Sequence, residues 1–188
     1  MVLIFTTCIT AGIGFTFHTG LVMKTEERFF AGWVLGIVAF TLSGLVCTRL
    51  FSFSGAAVTI AALVVLTASI PGWRLGAAQG HGEIKDLRHR LAEPLGSGKN
   101  PILLAALLIP VWVLIGRMFY FAYQTGADGG IQVGHLASFS DWQAHLTYTA
   151  SFAFADNTAL NLPLAAGNNI GYHAGINYFA ALLIPAGA

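Results

Sequence analysis

The sequence predicts an all-α fold: a polytopic integral membrane helix bundle with four full spans, the start of a fifth, and one extracytoplasmic helical loop. Three observations predict it. Of the 188 residues, 56% are hydrophobic and only 9% are charged, whereas a soluble domain carries roughly a quarter charged residues. Such a chain cannot clothe a globule in water-compatible side chains, so the bilayer is the expected solvent. Second, four apolar runs reach the length of about 20 residues that a helix needs to cross a hydrocarbon core. Third, the lysines and arginines fall on one side of the alternating loops.

The first run, Val2 to Met23, is softened by threonines and by His18. It lacks a basic leader and a small-residue cleavage site, so it is expected to stay as a spanning helix. His18 is expected to be a packed, hydrogen-bonded histidine, with a proton relay as the competing role. The second run, Phe29 to Thr48, carries Gly32 and Gly36 at the spacing that lets helices approach closely. Only Arg49 to Ser54 separate it from the third run, Phe51 to Trp73, which predicts a tight antiparallel hairpin. Cys8 and Cys47 sit inside apolar runs, where a thiol is a small packing residue.

Between residues 72 and 100 the chain turns polar. Glu83 to Ala92 has helical spacing with alternating charge, which predicts a solvated interfacial helix, with contact to anionic lipid headgroups as a second reading. The "GSGKN" stretch lacks the rest of a phosphate-cradling pattern. No basic run with interleaved aromatics occurs, which disfavours nucleic acid as a partner; membrane lipids are the expected one. The fourth run, Pro101 to Tyr120, contains Pro110, an expected kink, and Arg117 near its end. Residues 1–120 thus form the four-span region, 121–173 an outer loop, and 174–188 the start of a fifth span, as if the chain were the amino-terminal part of a longer protein.

Lys24, Arg28, Arg74, Lys85, Arg88, Arg90 and Lys99 lie on one side if every span crosses once, against Arg49 on the other. Residues 121–173 hold no Lys or Arg. The positive-inside rule therefore puts the 72–100 loop in the cytoplasm and residues 121–173 outside the membrane.

That outer segment opens with "YQTGADGGIQVGHLAS", expected as loop. In "SDWQAHL", Ser140 and Gln143 match a capping box, which predicts a helix over about 141–155 with Asp141 in its first turn, where the helix dipole favours a negative charge. Asp141 and His145 share a face one turn apart, and that face continues to Tyr148 or Thr149 and Phe152. Trp142, Leu146, Ala150 and Ala153 form a second, apolar strip, expected to pack on the bundle or to lie at the membrane interface. Asn157, Asn161, Pro163 and Gly167–Asn169 are turn chemistry. Tyr172 and His173 stand at the mouth of the next span.

The ordered elements Ser140-Asp141-Trp142, His145, Ser151-Phe152-Ala153, Asn157, Pro163 and Tyr172-His173 resemble the first outer loop of bacterial and archaeal membrane proteins related to GT-C glycosyltransferases. The resemblance covers about the last fifty residues. It implies a transferase of a bacterial or archaeal cell membrane that takes a sugar from a polyprenyl-phosphate donor at the outer face. It also implies that Asp141 is the general base or a metal ligand; related proteins often carry Asp-Glu where this chain has Asp141-Trp142. His145 and His173 are further candidate catalytic residues, and Trp142, Tyr172 and Arg117 candidate substrate-binding residues. The outer segment supplies no cation for a phosphate leaving group, so one is expected from Arg117 or from helices beyond this sequence. A divalent metal ion is a candidate cofactor, with Asp141 and His145 as ligands and His173 or His135 as a third, since such oxygen and nitrogen sets suit divalent ions. The alternative is a non-catalytic polytopic protein, a transporter or a polymer-export scaffold.

Overall fold

The computed structural model of the chain describes residues 2–94, 101–125, 127, 131–133, 138–165, 167–170 and 174–186. In chain order these form α1 (Val2–His18), α2 (Thr25–Phe51), α3 (Gly55–Ala92), α4 (Pro101–Ala122), β1 (Tyr123–Thr125), β2 (Ile131–Val133), α5 (Ser138–Ala155) and α6 (Gly175–Leu183). The chain divides into two compact units, one of residues Met1–Glu83 with Leu146–Ala188, the other of Ile84–His145.

The first unit is built on backbone-to-backbone closeness. A Cβ on Gly12 would collide with the Gly32 carbonyl, one on Gly36 with the Cys8 carbonyl, and one on Gly72 with the Gly14 carbonyl. Gly76 is equally tight against the Phe17 ring. Small residues thus let α1 lie in contact with both α2 and α3, the arrangement that packs helices where no water is available to drive them together. The Gly32/Gly36 spacing therefore serves a partner inside the same unit. Trp73 adds a hydrogen bond from Nε1 to the Thr10 carbonyl at 3.0 Å and stacks at a tilt on Phe17. Cys8 and Cys47 are buried free thiols.

Apolar side chains do not gather inside. Phe30, Val34, Val38, Leu42, Val46 and Leu50 are all at least 49% exposed along α2, at the four-residue spacing that keeps neighbours on adjoining faces of a helix. Among the described residues, α2 and α3 are the helices long and apolar enough to cross a membrane, and only 22% and 33% of their most apolar windows are buried. A core helix of a soluble protein would be mostly buried; these present hydrocarbon outward.

Several elements differ from the sequence expectation. α1 stops at His18 after 17 residues, short of Met23, because Thr19 turns its backbone amide and its hydroxyl onto the Thr16 carbonyl and Gly20 adopts φ +65°. His18 is exposed in the last turn rather than packed. The third run does not end at Trp73. α3 continues for 38 residues, through Pro71 and past Glu83. Proline forfeits one intrahelical bond, and contacts farther on compensate: Phe17 on Gly76, and the Arg28 and Thr25 side chains on Glu83. The fifth run gives α6, nine residues long, followed by turn over 184–186.

In the second unit α4 spans 22 residues with Pro110 inside it. Ile109, Val111, Trp112, Val113 and Leu114 are each at least 48% exposed. Successive residues point in all directions around a helix, so this stretch is apolar all round with no covered face. Where loop was expected, β1 and β2 pair antiparallel, Tyr123 opposite Val133 and Thr125 opposite Ile131. The last turns of α3 are held by an Arg90–Asp86 ion pair at 2.8 Å, one turn apart.

Candidate functional site

α5 begins at Ser138, earlier than Asp141, so Ser140 lies inside the helix and is not its cap. Asp141, Trp142 and His145 all fall within the first half of α5. An unbroken helix sets Asp141 and His145 one turn apart on one face. His145 is half-buried. Tyr172, His173 and His135 lie outside the described residues. Arg117 is exposed near the end of α4. Among the described residues no three His, Cys, Asp or Glu side chains gather into a set fit to hold a metal ion.

The second half of α5 turns its aromatic face inward and its apolar strip outward. Leu146 is 43% exposed, whereas Tyr148 and Phe152 are 8% and 0% exposed. The reason is aromatic packing: Phe152 meets the Tyr178 ring at 5.0 Å between centroids, and Tyr178 meets Phe53 edge-on at 5.8 Å. Tyr178 also shares a hydrogen bond with the buried Thr48 hydroxyl, joining α6 to α2.

From Ala155 the chain enters a loop with a specific internal wiring. The Asn157 amide nitrogen donates to Ser151 Oγ at 3.1 Å and to the Asn161 carbonyl at 2.6 Å, while its Oδ1 accepts from the Asn161 amide at 2.9 Å. Leu162 and Ile170 amides donate to the Asn168 and Leu160 carbonyls, and Asn161 bridges Asn169. The turn chemistry at Asn157, Asn161 and Gly167 is thus realised as a short closed hairpin, with Gly167 at φ +81°. Asp156 and Leu160 hold φ of +50° and +59°, a region costly for residues with a Cβ.

Two bonds tie this loop to the α2–α3 turn. Arg49 Nε donates to the Thr158 carbonyl at 2.9 Å, and the Phe53 amide donates to Asp156 Oδ1 at 2.9 Å. Sequence reasoning left Arg49 as a lone outer cation and gave Asp156 no role; nothing local pairs positions more than a hundred residues apart. Between the end of α5 and the hairpin lies a pocket of about 380 Å³, lined among others by Ser151, Asp156, Thr158, Asn161 and Pro163.

At the opposite end of this unit, Arg28 is 3% exposed. Its Nε and Nη2 each donate at 2.7 Å to the Glu83 carboxylate, its Nη1 donates to Thr16 Oγ1 at 2.9 Å, and its guanidinium lies 4.2 Å from the Phe17 ring centre. Gln79 donates to the same carboxylate and Thr25 to the Glu83 carbonyl. Each of the three guanidinium nitrogens donates to a neighbour on another helix, so this cluster is a joint of three helices.

Comparison of the chain with known protein families, with curated proteins and with solved structures finds no match in any of the three.

Proposed function

We propose that the chain is the membrane-embedded part of a GT-C-like glycosyltransferase that takes a sugar from a polyprenyl-phosphate donor at the outer face of a bacterial or archaeal cell membrane. The observation that carries this reading is α5 itself: one continuous helix on which Asp141 and His145 stand one turn apart. In this reading α1 and α4 cross the bilayer as well as α2 and α3. Gly55 to Arg74 spans about 28 Å of helix, which matches the roughly 30 Å of hydrocarbon before the first charge. Arg28 and Glu83 then mark the cytoplasmic end, and residues 121–173 lie outside.

The chemistry asks little of the site. Asp141 takes the proton of an acceptor hydroxyl as its oxygen bonds to the sugar's anomeric carbon, and the carbon–oxygen bond to the polyprenyl phosphate breaks with its electron pair on the phosphate. A positioned carboxylate is suited to that proton transfer. In this reading His145 and His173 are further catalytic candidates, Trp142 and Tyr172 are candidates for binding the sugar, and Arg117 is a candidate charge for the leaving phosphate.

A second reading, a non-catalytic transporter or export scaffold, is favoured by one observation. The densest polar network among the described residues, around Arg28 and Glu83, is wholly engaged in holding helices together. Replacing Asp141 by Asn separates the two. Loss of sugar transfer with unchanged membrane insertion supports the transferase, and unchanged transfer removes Asp141 from the role.

A further inference from the structure

The pocket beside the 156–170 hairpin has no part in the reaction proposed above, yet it carries unused hydrogen-bonding groups. Asp156 spends Oδ1 on the Phe53 amide, and its Oδ2 makes no hydrogen bond among the described residues. Asn161 uses only its backbone N–H and C=O, both toward Asn157. Thr158 likewise uses its backbone carbonyl for Arg49 and its amide for Asp156. The Asn161 amide and the Thr158 hydroxyl are therefore free to bond a guest, beside a floor of Ala155, Ala159 and Pro163.

We propose that this pocket binds a neutral polyhydroxyl ring, a monosaccharide or a cyclitol. The donor set decides the class. A carboxylate oxygen accepts, a hydroxyl does both, and a carboxamide presents donors and an acceptor; a ring bearing several hydroxyls satisfies all three together. An anion would meet the Asp156 carboxylate. A cation would find one carboxylate, already half-committed to Phe53, and a Thr158 carbonyl already taken by Arg49. The volume of about 380 Å³ falls at the small end of ligand pockets. The walls are pre-set: Asn157 staples Ser151 to Asn161, and Asp156 and Leu160 are held in the left-handed region. Strained backbone held in place by its surroundings is a recurrent property of ligand clamps, and preorganisation lowers the cost of binding.

Two substitutions remove the guest's partners without touching a bond that holds the loop: Thr158→Val and Asn161→Ala. With the full chain in nanodiscs, saturation-transfer NMR titrations with methyl α-glucoside and with myo-inositol should show saturable binding of at least one probe. Each substitution should raise its Kd by about 3- to 10-fold, the factor for one lost hydrogen bond, with the thermal unfolding midpoint retained. Absence of saturable binding to the unsubstituted chain, Kd values in both variants equal to that of the unsubstituted chain, or capture of calcium at this pocket in preference to either probe overturns the proposal. The readout needs no turnover, so its failure leaves the transferase reading standing, and failure of Asp141 as a base leaves the pocket standing.

Discussion

Arg28 and Glu83, 55 positions apart in sequence, meet through two parallel hydrogen bonds of 2.7 Å with 3% and 12% of their side chains exposed. The pair ties the first turn of α2 to the middle of α3, and through Thr16 and Phe17 it catches the end of α1 as well. Its geometry answers why α3 runs on beyond Pro71: the residue that ends the first unit is clamped.

Removing one partner strands the other charge in a site with little water. Arg28→Met or Glu83→Gln alone should cost about 3–5 kcal/mol, and the double substitution Arg28→Met with Glu83→Met should cost less than either. Unfolding titrations in mixed micelles check this, and an additive double variant would show that the two residues do not act as a pair.

The glycines divide sharply by surroundings. Gly36→Ala drives a methyl into the Cys8 carbonyl and should cost about 1–3 kcal/mol as α1 and α2 are forced apart. Gly82, in the same long helix as Gly72, has open space around it; Gly82→Ala should stabilise by about 0.5–1 kcal/mol through helix propensity. Opposite signs in one thermal-unfolding series are the expected result.

Asp156→Ala loses the acceptor for the Phe53 amide and leaves a Cβ-bearing residue at φ +50°. It should loosen the hairpin by about 1–2 kcal/mol, read as faster exchange of the Leu162 and Ile170 amides. Arg49→Ala should act in the same direction through the Thr158 carbonyl, and unchanged exchange in both would detach the hairpin from the α2–α3 turn.

Gly130→Cys tests the orientation. Cys8 and Cys47 are buried, so an impermeant thiol reagent added outside intact cells should label the new cysteine alone. Labelling that appears only after permeabilisation reverses the topology.

Much of the architecture was legible in the sequence, and the losses have physical causes. The α2–α3 hairpin follows from the few residues between Arg49 and Ser54, and the helix expected over about 141–155 is present, although it starts at Ser138 and is not capped by Ser140. The third helix was expected to end at Trp73, where the chain turns polar; here contacts from distant Arg28 and Phe17 accompany its continuation to Ala92. Which α5 strip is buried was left open by hydrophobicity alone, because the Tyr178 ring that packs on Phe152 is a partner the sequence does not reveal. Asn157 and Asn161 were identifiable as turn residues, but the bonds of Arg49 and Asp156 to the opposite segment were not, since no local pattern encodes them. Asp141 and His145 were found on one helix face from spacing alone.

Sugar transfer itself is the decisive measurement. The full chain reconstituted in liposomes, given a polyprenyl-phosphate hexose carrying a radiolabel and a hydroxyl acceptor, should release polyprenyl phosphate and label the acceptor. Asp141→Asn, inserted equally well, should lower that rate by about 10²- to 10⁴-fold, the contribution of a positioned general base. A rate in the variant equal to that of the unsubstituted chain, or no transfer by either, would contradict the account.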